Sequence, residues 1–180
     1  MQASVPLAIH PETSNAILPS SHPSSLQVYS PSTSSLLLEL EVSASNRVSR
    51  RDQELIEPAR VDSVAVSDCG EWMATIDEQA SDANFNTEVY LKIWRWAAGT
   101  WTLNSRIDRP HGSHSLSSMF FSPNLPNRSN LRLTTTGLDG TVKTWGIMTS
   151  VRKDGVIDGG SCSFFHKELL LISLLHQNFG

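Results

Sequence analysis

The chain has 180 residues, 39% of them hydrophobic and 18% charged, so it is long enough to bury one substantial core. Its net charge of −4 at pH 7 provides no overall basic field for nucleic acid, so any RNA contact must be local. The first residues lack the basic and apolar regions of a signal peptide, and no apolar run approaches the ~20 residues of a membrane span.

Residues 3–42 predict a first, weakly patterned unit of four short strands. Turn residues such as His10-Pro11 and Ser30-Pro31 separate the apolar runs. The third run ends in an aromatic residue, Tyr29. The predicted strands are Val5–Ile9, Ala16–Leu18, Leu26–Tyr29 and Leu36–Val42.

Residues 43–60 form a charged connector between the first and second units. Arg47, Arg50 and Arg51 are candidate contacts to RNA phosphates or to an acidic partner, because clustered guanidinium groups attract both. The alternative interpretation, which the sequence favours, is a solvated loop in which three nearby acidic residues neutralise the arginines. These acidic residues are Asp52, Glu54 and Glu57.

Residues 61–108 repeat the pattern of the first unit more clearly. Trp94 lies near the end of the third strand, where Tyr29 lies in the first unit. The segment from Asp77 to Glu88 is polar and aperiodic, which predicts a long surface loop. The four predicted strands are Val61–Val66, Trp72–Ile76, Val89–Trp96 and Trp101–Ile107.

Residues 111–147 contain the strongest local signal of the chain, two short strands joined by Asp139-Gly140. Asp-Gly between β-rich runs predicts a hairpin, because glycine tolerates the positive φ that a tight turn needs. The order is typical of the inner hairpin of a WD-repeat blade: one strand, the turn Gly137-x-Asp139-Gly140, and a second strand that carries Trp145. A preceding strand at Leu116–Phe121 completes three strands of this unit.

The three units together predict an all-β fold, a partial WD-repeat β-propeller of about three four-stranded blades. The third blade is expected to be incomplete, since residues 148–180 show no fourth strand in register. This tail is predicted to be irregular, with a short apolar helix at Lys167–Gln177. Because propellers typically have about 4–8 blades, we expect a fragment of a longer protein or a gene model with an unrelated C-terminus.

The residues that could support chemistry have simpler structural interpretations. Asp139 is expected to be a turn residue that bonds its own backbone rather than a catalytic acid. Trp145 and Trp94 are expected to pack between blades rather than to stack nucleic-acid bases. His111 and His114 lack further metal ligands nearby in sequence, so hydrogen bonding within the blade is expected. No catalytic, metal or cofactor-binding residue is predicted.

The second and third units resemble the WD-repeat subunit of the small-subunit processome, the net-one-associated nuclear protein family and its animal counterpart. The resemblance covers roughly residues 3–147 and is weakest in the first unit. Its most specific part is Leu103-Asn-x-x-Ile107-x-x-Pro110-His111. The other matching segments are Gly70–Asp77, Leu91–Trp94 and the hairpin Gly137–Trp145.

The resemblance implies a non-catalytic scaffold in the nucleus and nucleolus that supports rRNA transcription and small-subunit rRNA maturation. Its expected partners are other processome WD-repeat proteins and pre-rRNA or snoRNA in the assembled complex. No cofactor, membrane or small-molecule substrate is expected. Three alternatives remain: a generic WD-repeat adaptor, for example in ubiquitin ligation or chromatin, an enzyme without a recognisable constellation, and a truncated, non-functional product.

Overall fold

A computed structural model of the chain describes residues 5–44, 58–79, 87–123, 131–151 and 157–168. The regular secondary structure of these ranges consists of twelve strands in three antiparallel sheets of four. Strand order in each sheet follows chain order, so each strand pairs with its sequence neighbour. The predicted all-β architecture of three four-stranded blades is therefore confirmed.

Each sheet forms one blade. The first blade consists of β1 (Ala8–Ile9), β2 (Ala16–Pro19), β3 (Ser25–Ser30) and β4 (Ser35–Glu41). The second blade consists of β5 (Arg60–Val66), β6 (Trp72–Gln79), β7 (Glu88–Ala97) and β8 (Thr100–Asp108). The third blade consists of β9 (Leu116–Phe121), β10 (Arg132–Gly137), β11 (Val142–Val151) and β12 (Ile157–Glu168).

The apolar core lies in two layers, one on each face of the second blade. Strand β6 shows how one sequence serves both layers. Trp72 and Ile76 belong to the layer shared with the third blade, whereas Met73 belongs to the layer shared with the first. Because alternate side chains point to opposite faces, a strand covered on both sides reads as a continuous buried run.

The prediction that the third blade lacks a fourth strand is wrong. Strand β11 continues past Gly146 to Val151, and β12 pairs with it antiparallel. The pairing places Trp145 opposite His166 and Thr149 opposite Cys162. The segment carries Gly159-Gly160, a weak strand signal, but ladder bonds use the backbone and require no side-chain periodicity. Strand β12 includes the first two residues of the predicted helix, and residues 169–177 lie outside the described residues.

Two predicted boundaries also differ. The first strand is regular only at Ala8–Ile9, since Pro6 has no N–H to donate to a ladder. The predicted loop Asp77–Glu88 is shorter, because Asp77 is buried inside β6 and Glu88 begins β7. Residues 80–86 lie outside the described residues, as do residues 45–57, which contain Arg47, Arg50 and Arg51.

Candidate functional site

The buried imidazole of His111 is the centre of a polar cluster in the third blade. Its Nδ1 lies 3.1 Å and 3.2 Å from the carboxylate oxygens of Asp139 and 3.0 Å from Thr141 Oγ1. Its Nε2 lies 2.9 Å from Thr135 Oγ1, which accepts a 3.0 Å hydrogen bond from Trp145 Nε1. We call His111, Thr135, Asp139, Thr141 and Trp145 the His111 network.

The chemistry of the donors sets the direction of these bonds. The indole N–H of Trp145 can only donate, so the Thr135 hydroxyl accepts it, and the same hydroxyl forms the bond to His111 Nε2. The ionised Asp139 carboxylate can only accept, so Nδ1 of His111 carries a proton and donates to it. The network is a continuous chain of bonds from the core tryptophan to the hairpin turn.

Asp139 links the network to the turn that the sequence predicts. The Thr141 N–H donates to Asp139 Oδ1 at 2.9 Å, and the Thr141 hydroxyl donates to Oδ2 at 2.8 Å. Burial alone raises the pKa of this carboxyl, but the bonds from Thr141 and His111 outweigh it and hold the pKa below the ordinary value. Asp139 is therefore ionised at neutral pH and bonded within the blade.

Two glycines make the turn and the network compatible. Gly140 has φ +77°, the left-handed conformation that glycine adopts without strain. Gly137 leaves the space in which imidazole and carboxylate meet, since a Cβ there would lie 2.3 Å from His111 Nδ1 and 2.4 Å from Asp139 Oδ1. The two glycines of the Gly-x-Asp-Gly motif therefore have different roles: Gly137 leaves space for the side chains, and Gly140 allows the backbone conformation of the turn.

The second blade contains part of the same arrangement. Trp94 Nε1 donates to Thr75 Oγ1 at 3.0 Å, and strand register places these residues where Trp145 and Thr135 lie. Thr75 is fully buried, as Thr135 is. Sequence reasoning identified both tryptophans but missed both threonines, although a Thr near the centre of both β6 and β10 was a visible repeat.

A buried lysine is the centre of a second polar cluster, in the second blade, where Ser43 takes the position of His111. Lys92 Nζ donates to Asp77 Oδ2 at 2.9 Å, to Ser43 Oγ at 2.8 Å and to the Val42 carbonyl at 2.6 Å. Burial lowers the pKa of Lys92, while the Asp77 carboxylate opposes that shift. We call Ser43, Asp77 and Lys92 the Lys92 network, which was not predicted because Asp77 was assigned to a surface loop.

The structure places the other sequence-predicted residues as follows. Trp94 and Trp145 are 5% and 4% exposed and lie in the two core layers, not at an open surface. His114 is exposed, and its backbone N–H donates to the His111 carbonyl. Arg47, Arg50 and Arg51 lie outside the described residues, so their contact to RNA or to an acidic partner stays a prediction.

The described part of the chain contains no cluster of three or more His, Cys, Asp or Glu side chains arranged to hold a metal ion. Within the same ranges, no helix is long and apolar enough to cross a membrane. Within each network, the buried titratable side chains hydrogen-bond to one another, and Lys92 also bonds a backbone carbonyl. These bonds fix the connectors before the second and third blades to the inner strands of those blades.

These sheets, their two shared core layers and the Gly-x-Asp-Gly hairpin define a WD-repeat β-propeller module. The family model of the second β-propeller of WD repeat-containing protein 75 matches residues 7–168. The chain belongs to this family, which confirms the membership that the sequence predicts. The match includes β12, in agreement with a complete third blade.

A curated relative supports the same assignment. The chain is 27% identical over 135 residues to WD repeat-containing protein 75 of Xenopus laevis. The aligned region is 73% of this chain but only 16% of the frog protein. The chain therefore spans a small part of the length of that relative.

Proposed function

We propose that this module is a non-catalytic scaffold in ribosome biogenesis, within the nucleolar small-subunit processome. The observation that carries the proposal is the family match over residues 7–168, together with the resemblance of residues 3–147 to a processome subunit. The module supports pre-rRNA transcription and small-subunit rRNA processing through its partners. These partners are other processome WD-repeat proteins, with pre-rRNA or snoRNA in the assembled complex.

The geometry of the buried polar groups supports a holding role. His111, Asp139, Lys92 and Asp77 would be the first candidates for acid–base chemistry, yet each bonds a side chain within the module. Their side chains have little exposure, between 0% and 19%. The proposal accordingly assigns them to blade stability and assigns function to surfaces and connectors.

Sedimentation tests the proposal directly. The 180-residue chain, carrying an epitope tag, is expressed in cells of its source. Its position is compared with a nucleolar marker by microscopy, and its sedimentation is measured in a sucrose gradient. We expect it in the nucleolus and in fractions that contain small-subunit rRNA precursors. The matched control is Trp145→Ala, which removes a core side chain and should shift the protein to the top of the gradient.

A soluble, diffuse protein that never sediments with precursor rRNA would contradict the processome assignment. Association with a complex that contains no rRNA would instead favour the generic adaptor. Depletion of the endogenous protein supplies the second measurement. Precursors of small-subunit rRNA should accumulate, and precursors of large-subunit rRNA should be less affected.

The Arg47, Arg50 and Arg51 cluster is the proposed contact to RNA phosphates or to an acidic partner. Counterion release gives this proposal a quantitative test. If all three arginines contact single-stranded RNA, changing them to Ala should reduce the slope of log K against log salt by about 2. An unchanged slope would favour the interpretation in which Asp52, Glu54 and Glu57 neutralise the cluster.

A further inference from the structure

Trp96 differs from every other tryptophan of the chain in its exposure. All five tryptophans lie in described residues, and the other four are 4–5% exposed. Trp96 is 39% exposed, at the end of β7. A large indole left in water at a turn is the type of residue that dominates binding at interfaces.

The Trp96 ring is held in place by its neighbours. It packs edge-on against Trp101, with ring centroids 5.0 Å apart, and its centroid lies 6.2 Å from that of His10. His10 belongs to the first blade and bonds the Gly70 carbonyl in the second through Nε2 at 3.1 Å. The exposed indole is therefore pre-positioned at the junction of two blades, which lowers the entropy cost of binding.

A second exposed apolar side chain continues this surface. Across the β7–β8 pair, Trp96 lies opposite Trp101 and Leu103 lies opposite Trp94. Paired residues share a face of the sheet, so Leu103, 45% exposed, is on the same face as Trp96. Trp96 and Leu103 are thus two exposed apolar side chains in diagonal positions on one face of the β7–β8 pair, and we call them the apolar strip.

The turns around this strip carry acidic residues. The Glu71 carbonyl accepts the Trp96 backbone N–H at 2.8 Å. Exposed Asp68 lies in the same turn, and exposed Glu12 lies two residues after His10. The cation next in sequence, Arg95, projects to the opposite face, where its guanidinium lies 5.7 Å from the centre of the Trp72 ring.

We propose that Trp96 and Leu103, flanked by Glu12, Asp68 and Glu71, form a docking surface for a peptide segment rich in Lys and Arg. A cation over the exposed indole face gains a cation–π interaction, the aliphatic stem of Lys or Arg covers Leu103, and the carboxylates attract the positive charge. The same carboxylates repel phosphates, which favours a basic protein segment over RNA at this surface. The inference does not depend on the processome assignment.

Fluorescence anisotropy tests the surface with defined probes on the 180-residue chain. The probe is a labelled ten-residue peptide containing four Lys or Arg residues and two Leu. A matched peptide with Glu at the basic positions, and an oligouridylate, serve as competitors. We expect the basic peptide to bind, with an affinity that falls as the salt concentration rises. Neither competitor should displace it.

Variants at exposed positions locate the contact. Trp96→Ala should raise the Kd at least about fivefold, and Trp96→Phe should have a smaller effect. Glu71→Gln should raise the Kd about twofold and flatten the salt dependence. The matched control is Phe120→Ala, which removes another exposed aromatic side chain, 49% exposed in the third blade, and should leave the Kd unchanged.

Acrylamide quenching of the unmodified chain decides the question without a variant. Trp96 is its most exposed indole, so bound basic peptide should reduce the quenching. Unchanged quenching at saturating peptide would overturn the proposal, as would equal effects of Trp96→Ala and Phe120→Ala. Trp96-dependent binding of the oligouridylate would overturn it in favour of a base-stacking surface.

Discussion

Lys92 and Lys143 occupy the same place in successive blades. Each lies two residues before the tryptophan of an inner strand, and each Nζ donates to a backbone carbonyl in the connector before its blade. The acceptors are the Val42 carbonyl at 2.6 Å and the Pro110 carbonyl at 2.8 Å. Ser43 and His111 follow these acceptors in sequence, so one position carries a hydroxyl in one blade and an imidazole in the other.

The two lysines should differ in their effect on stability. Lys92→Met leaves the fully buried carboxylate of Asp77 without its cation, which should lower the free energy of unfolding by about 3–5 kcal/mol. Lys143→Met removes the bond to Pro110 and should cost only about 1 kcal/mol. Urea unfolding of both variants measures the difference.

A second change at Asp77 checks the cause of that loss. Lys92→Met combined with Asp77→Leu removes both charges and should recover much of the stability. If the double variant is no more stable than Lys92→Met, an uncompensated carboxylate is not the reason for the destabilisation.

Gly137→Ala should destabilise the third blade by about 1–3 kcal/mol, because the added Cβ overlaps both His111 and Asp139. Gly146→Ala is the control, since among the described residues no neighbouring atom lies within 4 Å of a Cβ at that position. Thermal unfolding of the two variants should show a clear shift only for Gly137→Ala. Equal shifts would mean that the steric account of Gly137 is wrong.

Gly70 and Gly99 separate steric overlap from backbone strain. Both have positive φ, +69° and +81°, so alanine strains the backbone at each. A Cβ at Gly70 would lie 2.6 Å from His10 Cε1, whereas a Cβ at Gly99 meets no atom within 4 Å in the part of the chain that the structure describes. Gly70→Ala should therefore lower stability by about 1 kcal/mol or more beyond Gly99→Ala. Denaturant midpoints that coincide would contradict this expectation.

Asp139 should make stability depend on acidity. Its pKa is lower in the folded protein than the ordinary value, so its contribution is present above that value and is lost as pH falls through the lower folded pKa. Unfolding measured between about pH 5 and pH 2 should show this loss. Asp139→Asn, which cannot ionise, should show a shallower dependence on pH in that interval, and an identical slope would contradict the assignment.

The sequence predicted features that local chemistry determines. The Asp139-Gly140 turn and the tryptophans of β7 and β11, Trp94 and Trp145, have short, specific signals. Strand β12 escaped prediction because its partner is chosen by the open backbone edge of β11 and not by a side-chain pattern. The Lys92 network was not predicted for another reason. From sequence alone, a polar residue such as Asp77 is expected to be exposed until its partner across the sheet is known.

The sequence positions of the two networks bear on how the chain is synthesised. His111 lies 28 residues before Asp139, and Val42 lies 50 residues before Lys92. In both cases the connector residue leaves the ribosome before the hairpin that it secures. The second and third blades can therefore form these bonds as soon as their own third strand has been synthesised, without any downstream segment. Vectorial synthesis would complete the blades one after another, from the N-terminal side, through contacts of modest sequence separation.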